Sequence, residues 1–381
     1  MLVAITGWQI QMMAQYWLVW KLTNSPLYLG LAGLSQALST IMLTLFGGVI
    51  ADRVDRRKLL MLTQGATGLL LFVLATLDQT GFIKVWHILV IAFLIGAVWA
   101  FDQPARMALI PHLVPREDLM NAVATGSIIW QGSRIVGPSI AGVLIAVAGT
   151  ALCFYITAFA FLATILALVL IKVPDVVSAA SERNMAHNLV EGLGFIASSP
   201  VFFTLIGMTF FNSVFGMSYV ILMPVFAERV LGVHSEGYGF LMGISGVGAV
   251  LGTTLVAALG NFKHKGWLLL SGGAMFGITL LLFSLSRWYY FSLGLLFLSG
   301  GVNQLYMTSV NTLLQFLVPD QLRGRVMGVY SLTWSLLPLG GMLSGGIATL
   351  TSAPFAVGLG GIMVAGIALS VMAFLPRVRS L

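Results

Sequence analysis

The chain has 381 residues, 59% of them hydrophobic and only 8% charged, with a net charge of +7 and a mean hydropathy of +0.99. Soluble proteins carry roughly 25% charged residues, so this composition cannot cover a water-exposed surface and most of the outer face must meet lipid. The basic residues are scattered over short segments, which excludes a nucleic-acid patch. The single Cys153, set in an apolar run, excludes an intrachain disulfide, and no metal-ligand cluster occurs.

Met1 to Trp20 is uncharged, is about the length of a membrane span, and lacks the basic n-region of a signal peptide. It reads as a retained first span, with Lys21 to Pro26 as an outer loop. Span 2 is expected at Leu27–Ala51 and span 3 at Leu59–Leu77. Between them lies GVIADRVDRRK, Gly48 to Lys58, the densest charge cluster in the chain. Short basic loops stay in the cytoplasm during insertion, so this loop is placed inside and orients the other spans.

After the outer loop Asp78–Val85 comes span 4 at Trp86–Leu109, then an inner loop with Pro111, Pro115, Arg116, Glu117 and Asp118. Span 5 is expected at Met120–Ala148, with a tight outer turn at Gly149-Thr150 and span 6 at Ala151–Ile171. Lys172 to Ser199 is the longest polar stretch. Met185, Leu189, Leu193 and Ile196 recur there at helical spacing, which predicts an amphipathic helix along the inner surface. Six further apolar runs follow, at Pro200–Phe226, Tyr238–Leu259, Trp267–Leu285, Tyr289–Phe316, Val326–Leu350 and Pro354–Leu375. The expected fold is an all-α membrane protein of twelve transmembrane helices in two six-helix halves. The domains are 1–171, a cytoplasmic linker 172–199, and 200–381, with both termini cytoplasmic.

Fourteen of the 19 Lys and Arg residues fall at inner loops and edges; Lys21, Lys84, Arg229 and Arg287 fall outside, and Arg134 lies within span 5. That asymmetry supports the topology. The halves also repeat: Leu113-Val114-Pro115 recurs as Leu317-Val318-Pro319, and at the same offset Gly137 matches Gly341 and Gly142 matches Gly346. Two such halves form a transporter architecture with the site between them. The pairs Gly248/Gly252, Gly273/Gly277 and Gly341/Gly345 have the spacing of close helix contacts.

The loop between spans 2 and 3 resembles the signature G-x-L-A-D-R-x-G-R-R of the major facilitator superfamily, at Gly48, Asp52, Arg53, Arg56 and Arg57. It departs from it at Ile50 and Asp55. FDQPAR (Phe101–Arg106), LVPREDLMNA (Leu113–Ala122) and RIVGPSIAG (Arg134–Gly142) are similar to the branch that contains the enterobactin exporter and macrolide-efflux proteins. Span 5 also resembles the antiporter signature, with Gly137, Pro138 and Gly142 matching and Ala124, Ser133 and Ala141 standing where that signature has Gly. The resemblance implies secondary transport by alternating access, a bacterial plasma-membrane location, and a gating loop with an acid low on span 4 as its latch partner.

That acid is Asp102, the one acid placed within a span, and buried intramembrane charges are functional candidates. It has three open readings: a latch with Arg56, a proton carrier, or a local pair with Arg106 one helical turn away. Arg134, higher on span 5, is either anchored to carbonyls or contacts substrate. The latter reading favours anionic or neutral substrates over cations. Candidate cavity residues are Trp8, Gln11, Gln15, Trp130, Gln131, Asn212, Tyr219, Asn303, Gln304, Tyr306 and Trp334. Aromatic faces with a few amides suit amphipathic molecules.

No P-loop occurs, so coupling to a proton gradient is expected, with no cofactor. An intramembrane enzyme is disfavoured: the motif Gly243-Ile244-Ser245-Gly246 has no histidine on a later span, no HExxH exists, and one membrane acid cannot form a dyad. The sequence therefore reads as an exporter of amphipathic small molecules, working as a monomer in the bilayer. Uptake of a small solute and lipid flipping are the alternatives.

Overall fold

The computed structural model describes residues 2–109, 113–170, 185–259 and 264–380, and all the regular structure among them is helical. Nine of the described helical segments are long and apolar enough to cross a membrane. Helices dominate because lipid offers no partner to backbone N–H and C=O groups, so each span must satisfy its own.

The chain divides into two compact units. The first comprises Met1–Asn24, Leu31–Glu182 and His234–Gly239; the second comprises Ser25–Gly30, Arg183–Val233 and Phe240–Leu381.

The N-terminal unit is built on α1 (Leu2–Thr23), α2 (Pro26–Arg53), α3 (Arg56–Gln79), α4 (Val85–Leu109) and α5 (Leu119–Leu170). Helix α5 packs against α1 and α3, and α3 also packs on α4. Small residues set these distances, as expected where backbones approach closely. A Cβ on Gly96 of α4 would lie 2.1 Å from Gln36 O of α2. At the same crossing Ser39 Oγ donates to Phe93 O (2.6 Å) and Thr40 Oγ1 to Gly96 O (2.9 Å). Helix α5 runs through both expected spans 5 and 6, and its turn is one residue: Gly149 has φ 81°, ψ 177°. Thr150 Oγ1 donates to Asp78 Oδ2 at the end of α3.

The C-terminal unit contains α6 (Met185–Ser198), α7 (Pro200–Phe211), α8 (Tyr219–Val225), α9 (Ser235–Leu259), α10 (Lys265–Leu285), α11 (Tyr289–Leu317), α12 (Asp320–Ser335), α13 (Leu337–Leu350), α14 (Ala353–Phe374) and α15 (Pro376–Arg379), with the first turn of α9 clustering with the other unit. Helix α10 packs on α11 and α14. The expected glycine pairs take part: Cβ atoms on Gly248 and Gly252 would fall on Phe297 O and Gly301 O of α11, and one on Gly277 on Gly361 O of α14.

Two expectations change. The run Pro200–Phe226 is not one regular helix. Five-residue π-turns at Asn212–Gly216 and Phe226–Val230 interrupt it, the kind of local bulge often found at functional sites. The run Val326–Leu350 begins earlier, at Asp320, and breaks at Leu336. Pro338 at the start of α13 cannot donate to a preceding turn. The linker helix appears as α6, packed on α12: Gly192 faces the backbone of Arg325, and Glu191 pairs with the Arg325 guanidinium. Residues 171–184 and the side chains of 185–190, which carry part of the expected amphipathic stripe, lie outside the described residues.

Candidate functional site

Helix α4 carries Trp99, Asp102, Gln103 and Arg106 at i, i+3, i+4 and i+7, one stripe of a 3.6-residue helix. Pro104 in that stretch removes the donor to Ala100 O, and Gly47 of α2 comes so close that a Cβ there would lie 2.1 Å from that oxygen. The crossing holds the stripe rigidly against the rest of the unit.

Asp102 is buried, with 2% of its surface exposed. Its Oδ2 accepts from Thr63 Oγ1 (2.8 Å) and Gln64 Nε2 (2.5 Å) of α3. Its Oδ1 accepts from Arg106 Nη2 (2.7 Å) and Nε (3.1 Å). A buried charge is tolerable when paired and hydrogen-bonded in this way. Of the three readings of Asp102, the local pair is the contact this structure contains. Arg56, the expected latch partner, donates from Nη1 to Ala108 O (3.2 Å), near the end of α4.

Arg57 and Asp55 of the same loop have backbone partners. Arg57 donates from Nε to Leu168 O (2.7 Å) and from Nη2 to Val169 O (2.6 Å), satisfying carbonyls in the last turn of α5. Asp55, which departs from the signature, is the N-cap of α3, accepting from the N–H groups of Arg57 and Lys58. Gly48 is half-buried in α2 and Arg53 is exposed, while the side chain of Asp52 lies outside the described atoms.

Arg106 borders a cavity of about 220 Å³ within the N-terminal unit. Its lining includes Trp8 of α1, Trp99, Gln103 and Arg106 of α4, and Trp130 and Phe161 of α5. The three indoles form one stack centred on Trp8, with centroids 5.6 Å from both Trp99 and Trp130 and interplanar angles of 18° and 26°. Such offset rings are mutually attractive and present broad apolar faces. Sequence reasoning selected Trp8 and Trp130 but missed Trp99 and Gln103. Their spacing from Arg106 along one helical face was the available signal.

The remaining candidates are placed differently. Gln11 Nε2 donates to Gln15 Oε1 (2.7 Å), and both are buried within α1. Arg134 Nη1 reaches Gln131 Oε1 (3.5 Å) and neither residue lines the cavity. Gly137 packs on Gln9, and a Cβ there would lie 2.6 Å from Gln9 Cβ; Pro138 is buried, and Gly142 lies against Ser235 O and Gly239 of the same unit. In the C-terminal unit Asn212 donates to Asn303 Oδ1 (3.3 Å), Tyr219 OH and Ser245 Oγ are 3.2 Å apart, and all four are buried. Each bond joins side chains from different helical segments. Tyr306 is buried in the unit's core and Trp334 packs against that core, whereas Gln304 bonds Thr308 on its own helix. Ser245, the serine of the weighed enzyme motif, is bonded to a tyrosine and not to a base.

Over residues 1–381 the sequence matches the family described as transmembrane secretion effectors, of the major facilitator superfamily. The chain belongs to that family. It is therefore a membrane transporter with a small-molecule substrate, and not an enzyme. Among its relatives, the staphyloferrin A transporter of Staphylococcus aureus is 27% identical over 337 residues, covering 86% of this chain and 82% of the relative. The multidrug efflux pump Tap of Mycolicibacterium fortuitum is 27% identical over 396 aligned positions, covering 100% and 95%. The enterobactin exporter EntS of Shigella boydii is 26% identical, covering 85% and 75%. In fold, the chain is similar to a bacterial homologue of the lysosomal transporter Spinster solved in an inward-facing, occupied conformation. The TM-score is 0.78 at 14% identity, with 99% of this chain and 97% of that chain covered.

Proposed function

We propose that this transporter is an ion-gradient-driven exporter of amphipathic, aromatic small molecules, working by alternating access with twelve spans and both termini in the cytoplasm of a bacterial cell. The observation that carries the reading is the tryptophan stack of the N-terminal cavity, Trp8 with Trp99 and Trp130 beside Arg106. At about 220 Å³ the cavity is smaller than the roughly 300–1,000 Å³ of drug-sized pockets. It takes one ring system of a larger substrate, and the rest of that substrate lies elsewhere. Export is supported by the names of two relatives, an efflux pump and an exporter. The sequence contains no P-loop, which favours an ion gradient over direct use of ATP.

The test is efflux of a preloaded fluorescent aromatic amphiphile from cells lacking their own pumps. Expression should speed efflux, an uncoupler should stop it, and Trp99→Ala at equal protein level should slow it severalfold. Faster accumulation on expression would mean uptake, and efflux that survives an uncoupler but not ATP depletion would exclude ion coupling.

A further inference from the structure

Arg106 lines the cavity, yet its charge is not delivered whole. The Asp102 carboxylate engages Nε and Nη2 of the guanidinium, 2.7 Å away at the closest. A guanidinium has five N–H donors, and Nη1 with its two N–H groups stands outside that pair. We propose that Arg106 and Asp102 together form a specificity subsite for an anionic group carried on an aromatic ring. The ring lies against the Trp8, Trp99 and Trp130 stack, the anion meets the Nη1 edge of Arg106, and Asp102 sets how strong that attraction is. The subsite rests on the reading of the cavity as the substrate site.

The chemistry follows from three features gathered around α4. The indole stack supplies apolar area without charge selectivity. Arg106 supplies planar, directional donors suited to a carboxylate or sulfonate. Asp102 sits one turn away with its other oxygen occupied by Thr63 and Gln64, so it is fixed in place and its negative charge opposes any incoming anion. Asp102 is a positioning residue: it aligns the guanidinium and attenuates its charge. This places the substrate-charge determinant at Arg106, where the sequence pointed to Arg134. It also predicts something a purely structural ion pair does not, namely that removing the acid improves binding of one class of ligand.

Equilibrium dialysis of the purified full-length protein against three naphthalenes tests this: 2-naphthoate, 2-naphthalenemethanol and 2-naphthylmethylammonium. The wild type should bind the carboxylate about ten-fold tighter than the ammonium, a difference of about 1.4 kcal/mol. Asp102→Asn should tighten the carboxylate by about three- to ten-fold while leaving the alcohol unchanged. Arg106→Gln should remove the preference for the carboxylate and, with Asp102 left charged, turn it toward the ammonium. Because that variant strands a buried acid, the double variant Asp102→Asn with Arg106→Gln serves as a second test, and it should show no charge preference while retaining the alcohol. If the alcohol binds and Trp99→Ala weakens it, but charge makes no difference or Asp102→Asn leaves the carboxylate unchanged, the subsite is refuted while the cavity reading stands. If not even the alcohol binds, the cavity reading fails and the subsite with it.

Discussion

Gly96 lies where α4 crosses α2, and its replacement by Ala isolates what close helix approach contributes. The new Cβ would stand 2.1 Å from Gln36 O and 2.4 Å from Ser39 Oγ, where ordinary contact begins at 3.4 Å. Relief requires α2 and α4 to separate by about 1 Å, because backbone atoms cannot rotate away. Separation strains the bonds from Ser39 to Phe93 O and from Thr40 to Gly96 O, each expected to be worth about 0.6 kcal/mol in a membrane protein. Overpacking itself costs about 1–3 kcal/mol, and the helix-propensity gain of Ala over Gly returns about 1 kcal/mol. The net loss is roughly 1–3 kcal/mol. At about 2–4 °C per kcal/mol for a unit of this size, thermal unfolding in detergent should fall by roughly 2–12 °C. Gly132→Ala in α5 is the control: no atom lies within 4 Å of its Cβ position, so it should be neutral or slightly stabilising. A Gly96→Ala protein that melts at or above the wild-type temperature would refute the argument that backbone contact fixes this crossing.

Arg57→Gln removes the charged donor to Leu168 O and Val169 O. The loss should be about 1 kcal/mol from the helix terminus, seen as a small drop in melting temperature with transport largely kept; a fall in transport at unchanged stability would instead assign Arg57 to gating. Gly192→Leu should force α6 off α12, because even a Cβ at Gly192 would sit 3.1 Å from Arg325 O. Hydrogen exchange across residues 191–198 should then accelerate. Glu191→Gln should change it little, since the pair with Arg325 is about one-third exposed and such pairs contribute about 0–1 kcal/mol.

The helical segments were legible because lipid makes hydropathy a strict signal. The turn at Gly149 was legible for the same reason, since two apolar runs met there with no polar residues to spare. The π-turns at Asn212 and Phe226 were not, because one inserted residue leaves the hydrophobic pattern of a wholly apolar helix unchanged. At the site, Asp102 and Arg106 declared themselves by i, i+4 spacing. Trp99 did not: surrounded by Val98, Ala100 and Phe101 it reads as one more apolar residue, and only the packing of α1 against α4 brings Trp8 onto it. Asn212 and Asn303 illustrate the converse. Polar residues on apolar helices attract attention, but a side chain that bonds a neighbouring helix is as well explained by association as by a ligand.

The one-residue turn at Gly149 has a consequence for how the protein is made. Helix α5 holds 52 residues, about 78 Å if straight, against a hydrocarbon core of about 30 Å. The chain must double back, and it does so in a backbone region open essentially only to glycine. With no connecting segment between the two arms, neither can settle in the bilayer while the other waits in water. They must enter together as a hairpin, already packed along their length. Thr150, bonded to Asp78 at the tip of α3, then registers that hairpin against a helix delivered earlier in synthesis.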